Sequence, residues 1–101
     1  MNNKQEYILC AAIWCPNIIP KKDLYLPINI KEGIVICGRR HHDCLSIISY
    51  CKLNRTKHVQ GFLTSTNHFV TREEAVAIAF NAGQIENTKF NSKLLFSEDL
   101  Y

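Results

Sequence analysis

Gly33-Ile-Val-Ile-Cys-Gly38-Arg-Arg-His-His-Asp43-Cys-Leu-Ser-Ile-Ile-Ser-Tyr-Cys51 changes its period partway along. Ile34–Cys37 is short, β-branched and apolar throughout, the pattern of a strand buried on both faces. From Cys44 onward the apolar residues Cys44, Leu45, Ile47, Ile48 and Cys51 recur at helical spacing. Strand, basic turn and helix thus follow one another, with Asp43 or His42 at the helix start.

Working outward, Tyr7–Trp14 (YILCAAIW) is a second buried strand, ended by Cys15-Pro16-Asn17. All three prolines fall between Pro16 and Lys31. That stretch reads as an extended loop with a short edge strand near Leu24–Leu26. On the other side, Lys52–His58 is polar and reads as a loop. Gly61–Ser65 and His68–Val70 form a hairpin around Thr66-Asn67. Thr71-Arg-Glu-Glu74 is a capping box, followed by Ala75, Val76, Ile78, Ala79, Phe80 and Ala82, with Gly83 suited to a left-handed C′ position. The expected fold is α+β, a small mixed sheet with strands near 7–14, 33–37, 61–65 and 68–70 and helices near 43–53 and 72–82.

The 101 residues suit a single ligand-binding domain, 1–101. Its tail, 85–101, carries Leu94, Leu95, Phe96, Leu100 and Tyr101, apolar groups expected to dock on the domain itself or on a partner subunit. A hydrophobic fraction of 47% excludes a disordered chain. Twelve Lys and Arg against nine Asp and Glu give a net charge of +3, scattered rather than striped. That balance suits a small anionic ligand better than duplex nucleic acid. Five cysteines, an odd number, argue against a closed disulfide framework and for buried free thiols in a reducing compartment. No C-x-x-C pair or spanning apolar run occurs, so neither a structural zinc site nor a membrane segment is expected, and the expected location is cytoplasmic.

Two constellations can carry chemistry. Gly38, Arg39, Arg40, His41 and His42 lie between a strand and a helix start, where glycine admits close backbone approach and the arginines offer planar forks to an anion. The same residues also read as an exposed turn with a helix cap. Adjacent histidines diverge, so His41 and His42 make a poor metal pair; either can bond a phosphate or a backbone carbonyl. In the hairpin, Phe62 and Phe69 read either as core or as rings that stack on a base. Thr64, Ser65 and Asn67 offer groups suited to ribose or adenine edges. Arg72 opens the second helix against its dipole, a placement that points to binding. Nucleophilic catalysis finds little: Cys44 lies on the apolar helical face and Ser65 lacks a nucleophile-elbow context.

Taken in order, Ile8–Ile13, Gly38–His42, Gln60–Ser65, Phe69–Ala75, Ile78-Ala79, Ala82–Gln84 and Phe96–Tyr101 resemble the phage proteins called Thoeris anti-defence protein one. The resemblance implies a non-enzymatic sponge that binds cyclic ADP-ribose isomers and keeps them from their effector in the infected host cell. Some members of that family also bind cyclic trinucleotides of the CBASS defence system, and they assemble from dimers into hexamers. It implies that Arg39–His42 supply cationic contacts, and that Phe62, Thr64, Asn67 and Arg72 line a nucleotide pocket at a subunit boundary. No cofactor is expected. Two other readings stand beside it: an enzyme degrading such a signal with His41 or His42 as general base, and a nucleic-acid- or protein-binding inhibitor using Lys52–Lys57.

Overall fold

Tyr7–Trp14 is apolar without alternation because the strand it forms is covered on both faces. In the computed structural model, which describes residues 5–53, 57–86 and 93–100, β1 (Ile8–Cys15) is flanked by β2 (Ile34–Gly38) on one side and β3 (Val59–Thr64) on the other. Outside β3 lies β4 (Phe69–Thr71), giving a sheet in the order β2-β1-β3-β4 with every pair antiparallel. Helices α1 (His41–Tyr50) and α2 (Arg72–Asn81) complete the α+β fold, and Ser97–Asp99 forms one 3-10 turn.

Register decides which side chains face which layer. Ala11 stands opposite Gly38 and Phe62, and Phe62 opposite Val70, so this row points toward the helices. A bulge at Leu9 shifts the β1–β3 register between Ile8 and Cys10. The extra residue turns Ile8 to the helix side as well, where it packs with Phe62, Val70, Ala75, Val76, Ala79 and Leu95. A second group on that side joins Ala11, Ile13 and Cys15 to Cys44 and Ile48 of α1.

The opposite face carries Ala12, Trp14, Val35, Leu63 and Phe69, and the 16–32 segment lies over it through Leu26 and Ile30. No strand forms near Leu24–Leu26; the segment is held instead by side-chain and backbone bonds. Asn29 Nδ2 donates to Phe69 O at 2.7 Å and Asn29 Oδ1 accepts from Phe69 N at 2.8 Å. Ile28 N donates to Asn67 O at 2.8 Å, and Trp14 Nε1 to Glu32 O at 2.8 Å. A side-chain amide therefore takes the place of a fifth strand along β4.

The hairpin forms with Asn67 in the left-handed region, at φ 62°. Thr71 caps α2 as its spacing requires: its hydroxyl accepts from Glu74 N at 3.2 Å, and Glu74 Oε1 accepts from Thr71 N at 2.9 Å. Gly83 ends that helix at φ 75°. Helix α1 departs from expectation: it spans His41–Tyr50, not 43–53. Its N-cap is Arg40, whose backbone N–H donates to Asp43 Oδ2 at 3.2 Å. Asp43 is thus the third residue of the helix, not its first. The helix ends early because Lys52 adopts a left-handed φ of 60° without being glycine. Only His41, Cys44 and Ile48 are buried along it; Leu45, Ile47 and Cys51 face outward. The free thiols divide accordingly: Cys15 and Cys44 are buried, Cys10 is half-buried, and Cys37 and Cys51 are exposed.

The last described stretch returns to the core. Leu95 is fully buried beside Phe62 and Ala75, and its N–H donates to Arg72 O at 3.0 Å. Residues 54–56 of the expected loop, and 87–92 and Tyr101 of the tail, lie outside the described residues. Among the described residues no helix is long and apolar enough to cross a membrane.

Candidate functional site

The two helices begin close together, and His41 and Arg72 are the first residue of each. His41 is buried and fully committed. Its Nε2 lies 2.6 Å from Gly61 O and its Nδ1 3.3 Å from Ser97 Oγ. A carbonyl can only accept, so Nε2 carries the proton and Nδ1 accepts from the serine hydroxyl. The same Oγ accepts from His41 N at 3.3 Å. The ring meets Phe62 edge-on, with centroids 4.9 Å apart. Burial, with help from the Arg72 charge and against the Gly61 bond, holds the imidazole below its ordinary value of 6.5, in the neutral form. Of the two roles open to a histidine in this turn, His41 has the structural one: it holds a backbone carbonyl, although one across the sheet.

Arg72 is half-buried. Nη1 donates to Leu95 O at 2.9 Å and Nη2 to Gln60 Oε1 at 2.5 Å, while the guanidinium carbon lies 4.8 Å from the Phe96 ring centroid. Its unfavourable place on the helix dipole is therefore explained in part by the tail, which it clasps. Burial lowers its pKa, and Glu98 and Asp99 work in the opposite sense. Arg39 is exposed and Arg40 half-exposed on the turn leading into His41, and His42 faces outward. Arg39 and Arg40 thus lead into α1 and Arg72 opens α2, the last of them over an aromatic ring that is 44% exposed. That ring is Phe96, which the sequence marks only as an apolar group of the tail; neither it, Gln60 nor Ser97 is singled out there as a site residue.

The hairpin residues go elsewhere. Phe62 is fully buried and Phe69 nearly so, which makes both core and removes either face from a ligand. Thr64 is also buried; its hydroxyl donates to Glu6 Oε2 at 2.6 Å. Thr66 bonds the same oxygen at 2.5 Å, and these hydroxyls lower the Glu6 pKa. Thr64 stands four residues from Gln60 along β3, or roughly 13 Å. It therefore shares no pocket with Arg72. Ser65, Thr66 and Tyr7 line a separate concavity of about 440 Å³ with Gln5. Asn67 lies on the far side of the sheet, in a hollow of about 160 Å³ with Tyr25, Pro27 and Cys37. Gly38 closes β2 tightly: a Cβ there would stand 3.1 Å from Asp43 Cβ and 3.3 Å from Cys44 Sγ. Its lack of a side chain serves the docking of α1 onto the strand. No group of three or more metal-ligating side chains forms among the described residues.

A basic turn, a clasped arginine and an open ring thus meet at one end of the domain. Residues 7–101 match the family described as Phage T4 y16D protein. The chain belongs to that family. No curated protein and no solved structure matches it. The family match places this y16D-family chain among phage proteins.

Proposed function

We propose that the protein binds a cyclic ADP-ribose isomer made by host immune sensors and sequesters it intact, so that the effector is not activated. The observation that carries this reading is the Arg72 guanidinium 4.8 Å over the half-exposed Phe96 ring, at the start of α2, with Arg39 and Arg40 leading into the start of α1. A cyclic ADP-ribose isomer combines a diphosphate with an adenine. Paired guanidinium forks suit the first and an accessible ring the second. Leu94 and Phe96 remain 43% and 44% exposed beside these cations. A second copy of the chain covering them would enclose the ligand, in keeping with a homodimer or a hexamer built from dimers. Cyclic trinucleotides present the same phosphate and base chemistry and are a further candidate ligand.

The test is calorimetry with a purified cyclic ADP-ribose isomer, followed by heat denaturation and mass spectrometry of the released ligand. Intact ligand in stoichiometric amount is expected. Arg39→Ala, which leaves the core untouched, removes a charge-assisted contact worth about 1.5–3 kcal/mol, roughly a tenfold or greater loss of affinity. Affinity unchanged in Arg39→Ala rules out this end of the domain as the site. Product accumulating with protein in deficit would make the protein an enzyme instead. That reading draws no support from His41, whose ring nitrogens are both engaged. Steeply salt-dependent DNA or RNA binding would favour the nucleic-acid inhibitor.

A further inference from the structure

On the sheet face away from the helices, two thiols that no step above uses come together. Cys37 stands opposite Ala12 across β1–β2, and Cys10 lies two residues before Ala12, so the alternation of the strand puts both on one face, diagonally related. Cys10 falls just outside the β1–β2 ladder, whose last pair is Ala11 with Gly38. It also follows the bulge at Leu9. Its backbone is therefore tied to β2 less firmly than that of Ala11. The Cys37 thiol and the Gly38 N–H lie beside the Cys10 sulfur and favour its ionised form. Both residues reach solvent, Cys10 partly and Cys37 openly. Cys15 and Cys44 are sealed in the core, and Cys51 stands apart beyond the end of α1.

We propose that Cys10 and Cys37 are a peroxide-reactive thiol pair, with Cys10 the attacking sulfur and Cys37 the resolving one. The neighbouring Cys37 thiol, with the Gly38 N–H and against burial, draws Cys10 down to about 7, while Cys37 is itself driven up. The Cys10 thiolate attacks one oxygen of hydrogen peroxide; the O–O bond breaks and hydroxide leaves, giving Cys10 sulfenic acid. The Cys37 sulfur then attacks the Cys10 sulfur. Water departs, carrying the thiol proton, and a cross-strand disulfide remains. The net reaction is one peroxide and two thiols to one disulfide and two waters. Diagonal neighbours start at a Cα separation of about 7–8 Å, slightly beyond disulfide reach. Closure therefore draws Cys10 inward at the bulge.

The whole chain is treated with a limiting amount of hydrogen peroxide, quenched with N-ethylmaleimide and mapped after tryptic cleavage. A mass loss of about 2 Da, the loss of two alkylatable thiols and a peptide joining Cys10 to Cys37 are expected. Fragment ions separate Cys10 from Cys15 within one tryptic peptide. In Cys37→Ser, Cys10 should accumulate as sulfenic acid that dimedone traps; in Cys10→Ser, Cys37 should stay reduced at the same dose. The proposal is overturned if wild-type Cys10 and Cys37 are both recovered alkylated while Cys51 is oxidised. It is equally overturned if Cys37 reacts unaided in Cys10→Ser. The wild-type arm needs no variant to fold.

Discussion

Replacing His41 with phenylalanine tests whether the imidazole is a structural clasp. The substitution keeps a ring against Phe62 and removes both nitrogen partners. Gly61 O then loses its 2.6 Å bond and the Ser97 hydroxyl its acceptor at 3.3 Å. A buried polar group left unpaired costs about 1–3 kcal/mol, so the pair is worth about 2–6 kcal/mol. Ser97→Ala should cost about 1–3 kcal/mol, because it strips the His41 N–H and Nδ1 of one shared oxygen. A domain of this size has about 5–15 kcal/mol in all, so His41→Phe should lower the urea midpoint steeply. The pH dependence is a second readout. The folded-state pKa of His41 lies below the unfolded value of 6.5. Between those values the unfolded chain binds more protons, and stability rises with pH. The contribution is thus complete above 6.5 and is lost as pH falls through the folded value. Urea titrations at pH 8 and at successive points below 6.5 should show that decline in the wild type and its absence in His41→Phe. A variant within about 0.5 kcal/mol of wild type at pH 8, the range of ordinary surface changes, would refute the clasp.

Three further outcomes follow from the packing. Gly61→Ala should fail to give a folded protein by circular dichroism, since a Cβ there would stand 2.1 Å from Val70 O and 2.8 Å from Phe69 Cζ. Leu95→Ala should cost about 2–5 kcal/mol in urea unfolding, the usual cost of truncating a buried leucine; a smaller loss would mean that the tail docks weakly. Arg72→Met removes the bonds to Leu95 O and Gln60 Oε1. Trypsin should then cut at Lys93 sooner than in the wild type, as seen by a time course on gels.

Much of the fold is legible because local signals agree with the packing. Thr71-Arg-Glu-Glu74 caps a helix, Gly83 ends it, and an unbroken apolar run becomes the central strand. The limits of α1 were not legible because neither end uses a residue type that announces it. Arg40 is an unusual N-cap, with Asp43 supplying the acceptor three residues on, and Lys52 takes the left-handed conformation usually given to glycine. Leu24–Leu26 carries a strand's composition, but the hydrogen bonds that would pair it go to the side chain of Asn29. Such long-range partners leave no mark in a short window of sequence.

The candidate site shows the same division more sharply. Arg39, Arg40 and Arg72 can be singled out from sequence because a charge at a helix start demands a reason. Phe62 and Phe96 cannot be ranked that way, since both are phenylalanines near polar residues, and only the sheet register shows which is sealed and which is open. The tail settles it. Leu95 enters the core and leaves Phe96, the next residue, directed outward under the Arg72 guanidinium. Core burial of one side chain thereby positions the ring of another at the surface, and the arginine that clasps the tail is held over that ring. Glu98 and Asp99 stand on the same turn and oppose an anion at Arg72, so the phosphate of the proposed ligand would approach from the side of Arg39 and Arg40. Ligand affinity should therefore depend on how firmly the tail is docked, and a variant that loosens Leu95 should weaken binding without touching a single contact to the ligand.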